Sequence, residues 1–136
     1  MSNVIIYDPN ESRQQWNTQL LQEQGHEVVT SSGLQEALDK TTDYECQLLV
    51  LGFDAMRTED RGLWPQVRDL ADTAPVIALH NRPSQETYET AARLRIAAIL
   101  PNSVSREIFA YAVEQAIRRQ PGNEELNLSR NPGKKI

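Results

Sequence analysis

The sequence predicts an α/β fold: a five-stranded parallel sheet in strand order 2-1-3-4-5 with helices on both faces, a three-layer sandwich. Three observations carry that prediction. Short β-rich apolar runs alternate with helix-like stretches five times along the 136 residues. One of the runs, Leu48-Leu49-Val50-Leu51, is continuously apolar, as a strand covered on both faces must be. The βα units follow one another in order, and right-handed crossovers between parallel strands leave few arrangements open.

Each element has its own local signal. Val4-Ile5-Ile6-Tyr7 is the first strand. Pro9 to Gln24 reads as a helix with Trp16, Leu20 and Leu21 on one face and Gly25 as its stop. Glu27-Val28-Val29-Thr30 is the second strand. Gly33 to about Lys40 is the second helix, with Leu34, Ala37 and Leu38 inward and Ser32-Gly33-Leu34-Gln35 as a capping-box pattern. After Leu48–Leu51 comes a polar loop, Asp54 to Arg61, then a helix from about Gly62 to Ala71, with Pro65 acceptable only in its first turn. Val76-Ile77-Ala78-Leu79 is the fourth strand, Ser84 to Leu94 a helix, and Ile96 to Leu100 the fifth strand. The last helix runs from about Val104 to Arg119, with Val104, Ile108, Ala112, Val113, Ala116 and Ile117 on one face, and Pro121-Gly122 ends it. Residues 1–120 are read as the domain. Residues 121–136, rich in Pro, Gly and Asn, read as a flexible tail or linker, and the abrupt stop at Lys134-Lys135-Ile136 suggests a chain cut from a longer protein.

Composition excludes several classes. A chain of 136 residues buries enough surface to fold without disulfides or a metal. The lone cysteine, Cys46, rules out an internal disulfide and fits a reducing cytoplasm. The apolar runs fall far short of the ~18 residues needed to span a bilayer, and no basic-then-apolar start marks a secretion signal. A formal net charge of -5 argues against a surface that neutralises phosphate backbones. The expectation is a cytoplasmic domain that binds neither membrane nor nucleic acid directly.

In such a fold ligands bind outside the carboxyl ends of the strands. Here those ends are Tyr7-Asp8-Pro9, Gly52-Phe53-Asp54, His80-Asn81 and Pro101-Asn102. No G-x-G-x-x-G is present, and Tyr7-Asp8-Pro9-Asn10 lacks the hydroxyl- and Gly-rich loop of a flavin site. His26, His80 and Cys46 show no metal-ligand spacing. Cys46 would start the third strand, away from the crevice.

Asp8, the helix that stops at Gly25, Glu27-Val28-Val29-Thr30, the Glu36-Ala37-Leu38 step, Ala74-Pro75-Val76-Ile77-Ala78-Leu79 and the Leu100-Pro101 step have a joint order and spacing. Over about residues 3 to 119 they resemble the receiver domain of bacterial two-component response regulators, which implies the CheY/flavodoxin-like fold. The resemblance also implies a phosphoryl acceptor site. Two adjacent acids after the first strand hold Mg²⁺, an aspartate after the third is nucleophile and metal ligand, a Thr or Ser follows the fourth, and a Lys follows the fifth.

The chain departs from that pattern at nearly every position. Asp8 matches the first acid, but Pro9 replaces the second, His80 the Thr/Ser and Asn102 the Lys. The acceptor position is Gly52 when read from the apolar run and Asp54 when read back from Gly62-Leu63. Both registers stay open; burial of the strand favours Gly52, because loop length varies at little cost. With Asp54 as acceptor, Asp8 and Asp54 would hold Mg²⁺ still short of one carboxylate, and the phosphoryl group would lack its cation. Each lost preorganised group costs on the order of 10²–10³ in rate. The expectation is therefore a pseudo-receiver with no catalysis and no resident cofactor. The alternative is a genuine phosphoacceptor using Asp54 and Mg²⁺.

Local readings stand beside these. Asp8-Pro9-Asn10-Glu11 matches an N-cap, Pro at N1 and an acid at N3 without any metal. His80 reads as a loop hydrogen-bonder, with pH sensing as its functional alternative. Asp54, Glu59 and Asp60 read as a solvated loop face, and Trp16, Trp64 and Phe53 as core or half-buried packing.

For function, the family resemblance implies homodimerisation or docking through the face of the fourth helix, fifth strand and fifth helix. That face would involve Tyr88, Ala91, Ala92, Arg95, Phe109 and Tyr111; Phe109 and Tyr111 lie off the inward stripe, and exposed aromatics anchor interfaces. The Leu48-Leu49-Val50-Leu51-Gly52 strand end with Arg95-Ile96-Ala97-Ala98-Ile99-Leu100-Pro101 is similar to the N-terminal receiver-like domain of flagellar master regulators among the sigma-54-dependent transcription activators. That similarity implies ATPase and DNA-binding output domains in a longer chain. A small-ligand sensor lined by His80, Asn81 and Asn102 is the remaining class, with no ligand identified by the sequence.

Overall fold

The computed structural model describes residues 2–31, 33–53 and 58–119. Five parallel strands, β1 (Asn3–Tyr7), β2 (Glu27–Ser31), β3 (Leu48–Gly52), β4 (Val76–His80) and β5 (Ala98–Pro101), pair in the order β2-β1-β3-β4-β5. That is the predicted order. The helices between and after them are α1 (Glu11–Glu23), α2 (Leu34–Asp43), α3 (Trp64–Leu70), α4 (Gln85–Arg93) and α5 (Arg106–Arg118), with a 3₁₀ helix at Thr58–Leu63 leading into α3. The tail 121–136, Asp54 and Ser32 lie outside the described residues.

The period-2 alternation of each strand divides its side chains between two helical layers. Val4, Ile6, Leu48, Val50, Ile77 and Leu79 pack against α1 and α5, through Leu20, Leu21, Phe109, Val113 and Ile117. Ile5, Tyr7, Leu49, Leu51 and Val76 pack on the other side against Leu34, Ala37 and Leu38 of α2, Val67 of α3 and Leu94. Every residue of β3 is buried, which is what its uninterrupted apolar run requires. The β2 edge is blunted. Glu27 N–H donates inward to Ser2 O, and Lys40 Nζ covers the Thr30 carbonyl, donating to it at 2.9 Å.

Several element ends differ from the sequence reading, each for a local reason. The N-cap of α1 is Asn10, whose side chain accepts from Arg13 N–H, so Asp8 is not the cap and Pro9 precedes the helix rather than opening it. The N-cap of α2 is Gly33, with no side-chain cap. The stretch read as a polar loop to Arg61 is helical from Thr58. Pro65 does lie in the first turn of α3. The strand expected from Ile96 starts at Ala98, because Arg95 and Ile96 close the end of α4: Arg95 N–H donates to Ala92 O and Ile96 N–H to Ala91 O.

The same closure ends α1 and α2, with left-handed residues at Gly25 (φ 94°), Glu45 (φ 49°) and, after α4, Arg95 (φ 58°). Gly25 has open space where a Cβ would sit, so Gly25→Ala tests conformation alone. The expected loss is about 1 kcal/mol, read from the urea midpoint; no loss would mean this turn is not under conformational demand.

Two side-chain expectations are overturned. In α5 the buried stripe is Phe109, Val113, Ala116 and Ile117, while Ile108 is 56% exposed. The apolar residues of α5 cover more arc than one sheet face buries, and the sheet takes the arc holding the largest of them. Trp16 is likewise exposed, with Asn17 in the buried place beside Leu20 and Leu21. Arg106 covers the Trp16 ring, its guanidinium carbon 5.4 Å from the centroid, and pairs with Glu23 at 2.7 Å.

Candidate functional site

The carboxyl ends of β1, β3, β4 and β5 meet where the register pairs Tyr7 with Leu51, Gly52 with Leu79, and His80 with Pro101. At their centre is Asp8, 2% exposed. A carboxylate this buried needs partners, and the first turn of α1 supplies them. Arg13 Nε donates to Asp8 Oδ2, and Arg13 Nη2 donates to Oδ1 at 2.8 Å. The Asn10 N–H donates to the same Oδ1 at 2.9 Å, turning the chain into α1. Three charge-assisted bonds thus hold one carboxylate in one orientation.

Gly52 lies against this pair. A Cβ built there would fall 2.4 Å from Asp8 Oδ1, 2.5 Å from Asp8 Cγ and 2.9 Å from Arg13 Nη2. The volume into which a side chain at the end of β3 would grow is already filled by the Asp8–Arg13 ion pair. Next to it the Tyr7 hydroxyl donates to Asp60 Oδ2 at 2.9 Å. Asp60, read from sequence as part of a solvated loop face, is buried because the 3₁₀ helix carries it inward to that hydroxyl. Asp54 and the Glu59 side chain lie outside the described residues.

The other two strand ends carry His80 and Asn102. His80 Nδ1 accepts from Arg82 N–H at 3.1 Å, and its ring meets Phe53 edge-on with centroids 6.2 Å apart. That is the loop role expected of it. Asn102 continues the ladder, its N–H donating to His80 O at 3.2 Å. Pro9 contributes no side-chain oxygen. Mg²⁺ takes oxygen ligands in near-octahedral geometry, and here both oxygens of Asp8 face guanidinium or amide donors. Among the described residues no group of three or more His, Cys, Asp or Glu side chains could hold a metal ion. These residues do not fit a divalent cation.

Sequence reasoning missed Arg13. Its signal was present: a cation in the first turn of a helix opposes the macrodipole, so it calls for a carboxylate nearby, and the chain offers two upstream, Glu11 and Asp8.

Of the residues expected on the α4–β5–α5 face, Tyr88 (55% exposed), Tyr111 (67%), Ala92 and Arg95 are exposed. Phe109 and Ala91 are not. Phe109 anchors α5 to the sheet and Ala91 turns inward from α4, so neither can reach a partner in this state. Arg95 forms an exposed ion pair with Asp72 at 3.5 Å.

Two titratable groups lie elsewhere. Burial pushes the Cys46 thiol up to about 11, and its Sγ lies 3.1 Å from Leu48 O. At pH 8 alkylation of Cys46 is expected on the order of 10²-fold slower than that of an exposed cysteine, with a rate equal to the exposed one counting against this burial. His26 is buried with Nδ1 lacking a partner among the described residues. Burial holds its pKa below 6.5, opposed by Glu114. The unfolded chain therefore takes up the proton first as pH falls. His26's contribution to stability is full above about 6.5 and declines as pH drops from there toward the lowered folded value. Urea midpoints at pH 7.5 and 5.5 should fall toward acid, and His26→Gln should flatten that slope; an equal slope in the variant would assign it to other groups.

No family model matches the sequence, and no curated protein matches it. Solved structures do. Chemotaxis protein CheY4 of Vibrio cholerae is similar at a TM-score of 0.75 and 19% identity, over 85% of this chain and 98% of that one. A CheY-like response regulator receiver domain protein from Methanospirillum hungatei JF-1 is similar at 0.79 and 17%, over 88% and 96%. The N-terminal domain of a response regulator/sensory box/GGDEF 3-domain protein from Carboxydothermus hydrogenoformans is similar at 0.73 and 14%, over 86% and 94%. The chain has the CheY-like receiver fold of response regulators. No helix among the described residues is long and apolar enough to cross a membrane.

Proposed function

We propose that this domain is a non-catalytic regulatory module of bacterial signal transduction or transcription regulation, a pseudo-receiver that has kept the fold and lost the phosphoryl chemistry. One observation carries the reading: the Asp8–Arg13 ion pair fills the space where a side chain on Gly52 would stand. The neutral amide of Asn102 supports it, since it does not supply the cation that a phosphoryl group needs.

Such a module acts by dimerisation or docking. Exposed Tyr88 and Ala92 on α4, Arg95 just after it and Tyr111 on α5 support the α4–β5–α5 face as the contact. The similarity at Arg95–Pro101 supports the finer reading of an N-terminal domain in a sigma-54-dependent, flagellar-type activator with ATPase and DNA-binding output domains. The three-domain protein among the similar structures supports a multidomain setting.

The test is an intact-mass measurement after incubation with Mg²⁺ and a small-molecule phosphodonor, with Asp54→Asn as control. No phosphoryl adduct is the expected result. An adduct that disappears in Asp54→Asn would establish the alternative, a phosphoacceptor using Asp54.

A further inference from the structure

The Asp8–Arg13 pair does more than fill space. Asp8 presents a carboxylate whose side chain is 1% exposed, and both of its oxygens accept from one guanidinium. Arg13 reaches it from the first turn of α1, where the helix macrodipole disfavours a cation. Arg13 Nη2 also stands 2.9 Å from the Cβ position of Gly52, the last residue of β3. A positive charge therefore sits beside both strand ends, on the oxygens that a divalent ion would have to bind. The guanidinium is planar and permanently charged, and it matches a carboxylate with two parallel bonds.

We propose that Arg13 is the built-in cation of this crevice. It occupies the place of a soluble divalent ion and keeps that ion out. This rests on the reading of the domain as a receiver whose phosphoryl site is lost, and it adds how the vacated site is held. Because the cation is part of the chain, its effective concentration does not follow the surrounding solution. The ends of β1 and β3 are then held in one arrangement whatever the metal content, and the state of the domain is set by its sequence and its partners rather than by occupancy.

The experiment uses the full chain and reads the thermal unfolding midpoint at constant ionic strength. MgCl₂ and methylguanidinium chloride are each titrated through the millimolar range. Wild type should show no saturable shift with Mg²⁺. Arg13→Ala should unfold at a lower midpoint and regain part of the loss, saturably, with one or both cations. Arg13→Ala/Asp8→Asn should show no such recovery. A saturable Mg²⁺ shift in wild type, or an Arg13→Ala midpoint that neither cation raises, would overturn the proposal. If Arg13→Ala does not fold, Arg13→Gln, which keeps a polar though shorter side chain and loses the charge, is titrated in its place with the same outcomes. The two readings fail separately: a phosphoryl adduct on wild type removes the pseudo-receiver reading, whereas a flat titration of the Arg13 variants removes only the built-in cation.

Discussion

Gly52→Ala is expected to destabilise the domain by about 1–3 kcal/mol, the range for overpacking a well-filled interior. The added methyl would stand 2.4 Å from Asp8 Oδ1, closer than real Cβ contacts allow. Yielding is difficult because the obstructing carboxylate is tied at both oxygens to Arg13 and at one to Asn10 N–H. The backbone at Gly52 is itself paired within β3 and cannot retreat without breaking the ladder to β4. The measurement is the urea midpoint with the slope unchanged. Asp8→Ala/Gly52→Ala removes the obstruction and should lose less than the two single variants summed. An unchanged midpoint in Gly52→Ala would mean the ion pair shifts freely. By the same geometry, Gly52→Asp should cost at least as much as Gly52→Ala and should not gain a phosphoryl adduct.

Arg13→Ala should cost about 3–5 kcal/mol, the range for leaving one member of a buried pair without its partner. The Arg13 side chain is 13% exposed and that of Asp8 1%, so solvent screens this pair little. Asp8→Asn/Arg13→Met, which removes both charges, should cost much less than the sum of its single variants, because the large term is the stranded charge rather than the worth of the pair. Strict additivity in that cycle would show that the two residues act independently. A loss below about 1 kcal/mol in Arg13→Ala would place the pair with exposed ion pairs, which contribute little.

How much of this was legible in the chain varies by element. β3 is plain in Leu48–Leu51, because burial on both faces demands an unbroken apolar run, and the turn after Gly25 because only glycine enters φ 94° at no steric cost. Helix faces were less legible. α5 carries apolar residues around more than one face, so the exposed place of Ile108 and the buried place of Phe109 were settled by contact with the sheet. Trp16 was misplaced for a similar reason: its packing partner, Arg106, comes from the far end of the chain. At the site, which residues stand at the strand ends, Pro9, Gly52, His80 and Asn102 among them, could be read directly from the strand runs.

The layered parallel sheet and its order follow from the residues alone, because strand periodicity, helix stops and right-handed crossovers are properties of short stretches and their succession. Which groups the Asp8 carboxylate meets came from the folded chain. Its cap-like and metal-like readings were both consistent with Asp8-Pro9-Asn10-Glu11, and neither involves Arg13. These meetings arise from close approach: the end of β3 brings Gly52 against the carboxylate, and the 3₁₀ helix brings Asp60 to Tyr7 from 53 residues away. Which buried charges meet depends on where the folded backbone places them, and local patterning does not carry that information.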